Sequence, residues 1–449
     1  MSALPNPPPK LAPGFRERRG LPAAPPQRIA HVVSVSGAHA VAVLEKNAQG
    51  LVGGKDQRVQ IGAMIKVVTP GASTIGIISA ISAPMAMGEG QAEDIGLIEL
   101  HLSGEVGIDE GSRRLAFRRG VSMLPSLGDP VLLADRHDLT RVYAPPSVAS
   151  IKVGTLFQDP SVPARLLIDD LLAKHFVVVG STGAGKSSAL TCILQRLLAD
   201  HRHAHIVMLD IHNEYSGAFG ELVAPINPEN FNLPFWMLDF QEMTAALASR
   251  DEHHDAEAEI LSEAVVHARR RYSDAAQSRA QQLARKQADS IPISVDTPTP
   301  FRMSDVIAYI DEQLGKLQRN QFTLPYRRLK SHIESLIADQ RYNFMFGSLS
   351  VQDTMSDVLG SLFRVPSNGK PITVIDLSTV PPEILDVVIS VISRLAFDLA
   401  VWSKGGLPML LVCEEAHRYA PSDPDGKFMP TRQALSRIAK EGRKYGLSL

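Results

Sequence analysis

The chain has 449 residues, of which 44% are hydrophobic and 21% are charged, and its formal net charge is −2. A chain of this length is too long for one simple core, so we expect two or three globular domains. The near-zero charge excludes a general electrostatic attraction to nucleic acid, and any such binding has to come from a local patch or a pore.

Cysteine content and hydropathy narrow the class of protein further. The two cysteines, Cys192 and Cys413, lie in predicted core elements, as is typical of reduced, buried thiols in a cytosolic protein. The sequence contains no apolar run of about 18 residues or more, and its proline-rich start lacks the hydrophobic centre of a signal peptide. We therefore expect a cytoplasmic protein with no membrane segment.

The amino-terminal third of the chain separates into two predicted regions. Residues 1–28 are rich in proline and carry scattered arginines, which predicts a disordered leader. Residues 29–143 contain short runs of alternating valines and small or polar residues, separated by Gly, Ser and Pro. About five short strands of this kind predict a small all-β barrel. The barrel has no cluster of His, Cys or carboxylates, so we assign no chemistry to it.

A second predicted domain covers residues 149–449, and its start carries the most specific motif in the chain. His175–Val179 is predicted to be a buried strand and Ala189–Leu198 a helix. Between them, Gly180 to Ser187 satisfies the pattern G-x-x-x-x-G-K-[ST] of loops that cradle the phosphates of ATP. The residues assigned to nucleotide binding are Gly180, Ser181, Thr182, Gly183, Ala184, Gly185, Lys186, Ser187 and Ser188.

The residues of this loop have separate predicted roles. Gly183 and Gly185 let the backbone turn so that consecutive N–H groups, with the positive end of the following helix, face phosphate oxygens. Lys186 is expected to reach the β- and γ-phosphates, and Ser187 to bind Mg²⁺ through its hydroxyl. The alternative is a glycine-rich strand-to-helix turn that binds no ligand.

The next part of the second domain is predicted to contain further strands and a helical insertion. His205–Asp210 and Ile372–Asp376 have the composition of buried parallel strands, and Pro382–Trp402 that of a deeply buried helix. Residues 241–343 are polar and helical in pattern, which predicts the insertion. Its basic clusters are interleaved with acids, which favours a solvated helix face over contact with phosphates. These clusters are Arg269–Arg271, Arg285–Lys286, and Arg327 and Arg328 with Lys330.

The second half of the candidate site lies far downstream. The apolar run Leu407–Cys413 leads into Glu414 and Glu415, which places two carboxylates at the carboxyl edge of a parallel sheet, where ligands of doubly wound folds bind. Glu414 is suited to orienting Mg²⁺ through water, and Glu415 to polarising the water that attacks the phosphate. The alternative is a helix amino terminus enriched in acids, which needs no chemistry.

With both halves of the site in place, residues 29–449 resemble the HerA family, within the FtsK–HerA group of hexameric RecA-like motors. The strings that carry the resemblance are His175–Ser187, Leu209–Tyr215, Val412–Tyr419 and Ile438–Gly446. The resemblance implies an α/β, RecA-like P-loop core with a helical insertion, preceded by the family's small β-barrel. It also implies an ATPase that forms a homo-hexamer, translocates or unwinds double-stranded DNA, and works with a nuclease or another effector docked on the barrel.

The resemblance also assigns residues. Lys186, Glu415 and Arg443 become the catalytic residues, with Arg443 reaching into the site of the neighbouring subunit. Asp210 resembles the family's acid after the second strand and is assigned, with Ser187 and Glu414, to Mg²⁺. For Arg443 the alternative is a surface cation at a helix end.

Two further expectations concern the whole protein. The alternative function is an ATP-regulated ring scaffold that docks an effector and has little DNA motor activity, as in antiphage-defence assemblies. The chain stops at Leu447–Leu449, where the family's next core strand begins, so we expect a truncated form of a longer motor.

Overall fold

A computed structural model describes residues 28–45, 59–69, 72–82, 96–108, 113, 115–281, 293–316, 323–347, 351–421 and 429–449. The chain divides into two compact units, Met1–Pro146 with Gly154–Arg165, and Ser147–Val153 with Leu166–Leu449. The predicted leader, residues 1–28, lies outside the described residues except for Arg28, which begins the first strand.

The first unit contains an antiparallel β-barrel. Its strands pair in the order β2-β1-β7-β3-β4-β5, the pairing of β2 with β5 closes the barrel, and β6 pairs with β5. The strands in the described residues are β1 (Arg28–Ser36), β2 (His39–Leu44), β3 (Met64–Thr69), β4 (Ala72–Ser82), β5 (Leu97–Ile108), β6 (Leu115–Arg119) and β7 (Pro130–Leu133). Helix α1 (Arg136–Val142) follows them. The prediction of a small all-β barrel is confirmed.

Strand β5 shows how the sequence builds this barrel. Ile98, Leu100 and Leu102 are buried, and the residues between them face outward, as the two-residue period of a strand requires. At Gly104 a Cβ atom would lie 2.3 Å from the backbone oxygen of Arg118 on β6. Only glycine allows the two strands to approach this closely.

The second unit is built on a parallel sheet with the strand order β11-β12-β10-β13-β14. A two-stranded sheet of β8 (Ser150–Thr155) and β9 (Pro163–Leu167) precedes it in the chain. The strands of the larger sheet are β10 (His205–Asp210), β11 (Val223–Ile226), β12 (Ile372–Asp376), β13 (Met409–Cys413) and β14 (Leu447–Ser448).

Helices cover both faces of this sheet. In the described residues they are α2 (Ile168–Leu172), α3 (Lys186–Asp200), α4 (Phe240–Leu247), α5 (His254–Gln281), α6 (Met303–Lys316), α7 (Thr323–Ala338), α8 (Asn343–Phe346), α9 (Met355–Phe363), α10 (Pro382–Trp402) and α11 (Met429–Glu441). The predicted helical insertion corresponds to α4–α8. The α/β class of this core, with its helical insertion, is confirmed.

Burial on both faces explains the nearly continuous apolar composition of the strands. On β10, Ile206 and Met208 pack into one hydrophobic core together with α3, whereas Val207 and Leu209 pack into a second core together with α10 and α11. The helices of the insertion contribute to this second core. The strands β10 and β13 are therefore packed between two hydrophobic cores, and the carboxyl end of each leads into candidate site residues.

One predicted strand is not formed. Residues 175–181 have no regular secondary structure, and the side chains of Val177 and Val179 are 79% and 81% exposed. Phe176 N–H donates to the backbone oxygen of Leu449 at 3.0 Å, but the two-residue strand β14 places no described residue opposite Val177–Val179. A strand needs a hydrogen-bonded neighbour as well as an apolar composition. The prediction of a buried strand at His175–Val179 is therefore wrong.

The basic clusters of the insertion have different environments. Arg269 is fully buried, with its guanidinium 5.5 Å from the centre of the Phe301 ring, and burial lowers its pKa to about 10. The prediction that this cluster lies on a solvated face is wrong for Arg269, because α5 is covered on that side by the core. Exposed Arg271 pairs with Asp305 at 3.1 Å, and Lys330 pairs with Asp311 at 2.6 Å. The predicted cluster Arg285–Lys286 lies outside the described residues.

None of the helices in the described part of the chain has the length and apolar character that spanning a bilayer requires.

Candidate nucleotide site

The phosphate-loop motif forms the turn into helix α3. Gly183 and Gly185 have φ of +78° and +89°, a region that residues with a Cβ atom rarely adopt. Gly185 precedes the first residue of α3 and provides no side-chain hydrogen bond to its first turn. The N–H groups of that turn are therefore open to an anion, as the motif predicts. Lys186 Nζ donates to the backbone oxygen of Ser181 at 3.4 Å, within the same loop.

Glu414 follows β13 and faces this loop across a cavity. Its side chain is 7% exposed, and its Oε2 atom has no hydrogen-bond partner among the described residues. Burial, followed by the neighbouring carboxylates of Glu415, Glu214 and Asp210, raises its pKa to about 7. A buried carboxylate oxygen without a partner is unfavourable by itself, so this position is suited to a cation or a strong donor.

Glu415 has an uncommon backbone conformation. Its φ of +46° and ψ of +42° lie in the left-handed region, which residues other than glycine rarely adopt. Residues in this conformation are enriched at functional sites. Two hydrogen bonds stabilise this turn. Arg418 N–H donates to the Glu415 backbone oxygen at 2.9 Å, and the hydroxyl of buried Tyr419 donates to the Glu414 backbone oxygen at 2.9 Å. The Glu415 carboxylate itself lies 3.1 Å from His417 Nδ1.

Asp210 lies beside Glu414, because β10 and β13 are neighbours in the sheet. Its side chain is fully buried and accepts three backbone hydrogen bonds, from the N–H groups of His212 at 3.3 Å, Glu214 at 3.1 Å and Tyr215 at 2.9 Å. Both carboxylate oxygens are engaged by the chain's own loop. These bonds use three of the roughly four lone-pair positions of a carboxylate, and the role of Asp210 as a metal ligand stays a prediction.

Tyr215 belongs to the site although its role was not foreseen from the sequence. The residue is 2% exposed, and it lines the same cavity as Ser187. The only signal in the sequence was its place five residues after Asp210, in the loop that leaves the carboxyl end of β10. Nothing in that spacing indicates which way the ring points.

The phosphate loop, Tyr215 and the two glutamates line one cavity of about 910 Å³. It is lined by the phosphate-loop residues Gly180–Thr182, Lys186 and Ser187, by Tyr215, and by Glu414 and Glu415. Part of its wall is apolar and consists of Val177–Val179 and the β13 residues Leu410–Val412. The volume lies in the range of natural ligand sites, which is roughly 300–1,000 Å³.

The structure does not bring Arg443 to this cavity. Arg443 is exposed, lies in the turn between α11 and β14, and its side chain makes no ion pair or hydrogen bond with the described residues. Gly446 of the same turn approaches Pro408, which precedes β13, so the turn lies at the amino-terminal edge of the sheet. The phosphate loop and Glu414 lie at the opposite edge.

The sequence matches the family model described as the central domain of helicase HerA over residues 151–396. It is 23% identical to a probable helicase of Methanocaldococcus jannaschii, with 72% of this chain and 57% of that protein aligned. It is 22% identical to the DNA double-strand break repair helicase HerA of Pyrococcus furiosus, with 67% of this chain and 56% of that protein aligned. The HerA of Saccharolobus solfataricus is 25% identical, with 72% of this chain and 58% of that protein aligned. The chain thus spans 56–58% of the length of these relatives.

Solved structures of the bacterial conjugative coupling protein TrwB are also similar. The trigonal form in complex with sulphate has a TM-score of 0.41 and 15% identity, with 70% of this chain and 69% of that chain covered. The complex with ADP and Mg²⁺ has a TM-score of 0.40 and 14% identity, with the same coverage.

Proposed function

The chain belongs to the HerA helicase family, and from that premise we propose that it is a Mg²⁺-dependent ATPase that works as a ring-shaped motor on double-stranded DNA. The observation that carries the proposal is the phosphate loop at the start of α3, which shares one cavity with a Glu414 oxygen that has no hydrogen-bond partner among the described residues. A loop of N–H donors and a lysine binds phosphates, and an adjacent buried carboxylate suits the accompanying cation.

The residues present fit Mg²⁺. The ion prefers oxygen ligands and usually takes only one or two from the protein, with phosphate and water oxygens completing its shell. The Ser187 hydroxyl and Glu414 Oε2, which has no hydrogen-bond partner in the described part of the chain, are such oxygens, and both residues line the same cavity. When bound with ATP, the ion supplies neutralisation of the phosphate charge.

The remaining side chains have distinct roles in this proposal. Lys186 turns from the Ser181 backbone oxygen to the β- and γ-phosphates when ATP binds. Glu415 accepts a hydrogen bond from the attacking water and so orients it toward the γ-phosphate. Arg443 makes no ion pair or hydrogen bond with the described residues and lies away from its own site, which supports a role in the site of an adjacent subunit. This last role requires a ring, for which the homo-hexamer of the family resemblance is the expected form.

Motor activity is tested by ATP hydrolysis with and without double-stranded DNA. We expect hydrolysis that requires Mg²⁺, is stimulated by linear duplex DNA, and is abolished by Lys186→Ala. Lys316→Ala is the matched control, because Lys316 is an exposed lysine of α6 paired with Glu312 at 2.6 Å. Hydrolysis that DNA leaves unchanged would contradict the motor and favour the scaffold alternative.

The proposed partner is a nuclease or another effector that docks on the barrel. Capture of a nuclease by the full chain, and its loss when the barrel is removed, would support this part of the proposal. Equal capture of the nuclease by the full chain and by the chain without the barrel would contradict docking on the barrel.

A further inference from the structure

The turn after β13 carries the Glu415 carboxylate in an unfavourable backbone conformation. Glu415 is left-handed, and in that region the Cβ atom of an ordinary residue lies too close to the following carbonyl oxygen. Such a conformation persists only where the surrounding structure over-determines it. The contacts that hold this turn therefore decide where the Glu415 carboxylate lies.

The first contact comes from the hydrophobic core. Tyr419 is fully buried there, and its hydroxyl donates to the backbone oxygen of Glu414 at 2.9 Å. On the other side of the same residue, Glu414 N–H donates to the backbone oxygen of Leu209 on β10 at 3.3 Å. The backbone is thus fixed on both sides of Glu414, directly before the left-handed residue.

The second contact comes from the neighbouring loop. Arg418 N–H donates to the Glu415 backbone oxygen, and Arg418 Nη1 donates to His212 Nε2 at 3.1 Å. An arginine side chain has donors only, so the histidine nitrogen accepts. His212 follows β10, and its own N–H donates to the buried carboxylate of Asp210. Arg418 therefore joins the turn that carries Glu415 to a loop that is itself held by a buried group.

We infer that Tyr419 and Arg418 are positioning residues for Glu415: Tyr419 anchors the turn to the core, and Arg418 anchors it to His212 in the neighbouring loop. Neither side chain is among the described residues that line the cavity, so both act through the position of the Glu415 carboxylate. This inference rests on the proposed function, in which Glu415 orients the attacking water, and deepens it.

Two measurements on the full chain test the inference: the rate of a single round of ATP hydrolysis, and the affinity for ATP with Mg²⁺ by calorimetry. Tyr419→Phe removes only the hydroxyl, and Arg418→Ala shortens an exposed side chain. We expect each variant to hydrolyse ATP about 10-fold more slowly, because a small displacement of a group that orients a reactant is costly. The affinity for ATP should stay within about 2-fold, since the proposed phosphate contacts come from the phosphate loop.

The helical insertion provides a matched control for each variant. Tyr342→Phe changes a buried tyrosine there, and Arg341→Ala changes an exposed arginine that pairs with Asp339 at 2.7 Å. Both control chains should hydrolyse ATP at the rate of the unchanged chain. Circular dichroism and thermal melting establish that every variant is folded.

Combined variants test the route through Glu415. In a Glu415→Gln chain, adding Tyr419→Phe or Arg418→Ala should slow hydrolysis by less than about 2-fold, because the carboxylate that they position is already gone. His212→Ala should slow hydrolysis as much as Arg418→Ala does. The chain with both of these changes should be no slower than the worse single variant, because the two residues share one hydrogen bond.

The outcomes separate the inference from the proposed function. Normal hydrolysis by Tyr419→Phe or by Arg418→Ala would overturn the role of that residue. A loss of ATP affinity as large as the loss of rate, or losses that are fully additive with Glu415→Gln, would overturn the inference alone. Absence of Mg²⁺-dependent ATP hydrolysis in the unchanged chain would overturn the proposed function, and this inference with it.

Discussion

The buried carboxylate of Glu414 links the chemistry of the site to the stability of the fold. Its pKa is about 7 in the folded chain, against an ordinary value of 4.5. Between these two values the folded chain holds a proton that the unfolded chain has released. The contribution of this group to the free energy of unfolding therefore falls as the pH rises from 4.5 to about 7, and above that range the contribution is fully lost.

Glu414→Gln removes this titration. Relative to the unchanged chain, the variant should gain thermal stability when the pH is raised from about 5 to about 8, by an amount that reaches roughly 3 kcal/mol at most. Melting curves without nucleotide or Mg²⁺ at both pH values measure the effect. Glu312→Gln is the control, because Glu312 is exposed and Lys316 lowers its pKa. The change in relative stability of this variant between the two pH values should be small and of opposite sign. If the difference in stability between Glu414→Gln and the unchanged chain did not depend on pH, the raised pKa of Glu414 would be contradicted.

Glu415 is the residue to test for the chemical step. Its carboxylate lies beside the cavity on a left-handed turn, and the residues proposed to contact the phosphates belong to the phosphate loop. Glu415→Gln should therefore bind ATP with Mg²⁺ normally but hydrolyse it about 10²- to 10³-fold more slowly, since one preorganised charged group contributes roughly 3–4 kcal/mol to the barrier. Near-normal turnover would move the role to Glu414 or Asp210.

At the scale of elements, α11 and the turn after it separate Arg443 from its own site. The turn lies at the amino-terminal edge of the sheet, and the phosphate loop at the carboxyl edge. If Arg443 acts in a neighbouring subunit, mixing Lys186→Ala chains with Arg443→Ala chains should restore part of the ATPase activity that each variant lacks alone. Restoration occurs because some interfaces then join an intact loop to an intact arginine. A monomer that hydrolyses ATP at the full rate would contradict this role.

Helices α4 and α10 are joined by a buried ion pair. Glu242 is 1% exposed and accepts hydrogen bonds from Arg394 Nη2 at 2.8 Å and from the Ser390 hydroxyl at 2.9 Å. Arg394→Met should destabilise the fold by about 3–5 kcal/mol, because it leaves a buried charge without compensation. Adding Glu242→Gln should recover most of that loss in a denaturant titration. If the double variant is as unstable as Arg394→Met, the loss reflects packing and not charge.

At the scale of the whole molecule, every residue of the candidate site belongs to the second compact unit. We therefore expect a chain shortened to residues 147–449 to bind ATP with Mg²⁺ within a few-fold of the full chain's affinity. Calorimetric titration of both chains checks this. Loss of nucleotide binding in the folded short chain would show that the barrel is needed for the site, contrary to the assignment of no chemistry to it.

The sequence alone determined the parts of the site that are locally encoded. The loop from Gly180 to Ser187 could be predicted because the requirement for glycine at Gly183 and Gly185 and the start of α3 are set by adjacent residues. The place of Glu414 at the sheet edge followed from an apolar strand that ends in acids, since parallel strands share one carboxyl edge. The barrel followed from the same kind of local alternation.

Only the tertiary structure decided how distant segments meet. Asp210 is predicted to bind Mg²⁺, and the structure adds that its oxygens hold the loop after β10, which brings Tyr215 to the same cavity as Ser187. Arg269 was expected in solvent, but α5 buries it beside Phe301. His175–Val179 has the composition of a buried strand and yet leaves Val177–Val179 exposed, because pairing depends on a neighbour that its own residues do not specify. Burial and hydrogen bonding between segments far apart in the chain are non-local, so local patterns determine which groups are present while packing determines which of them meet.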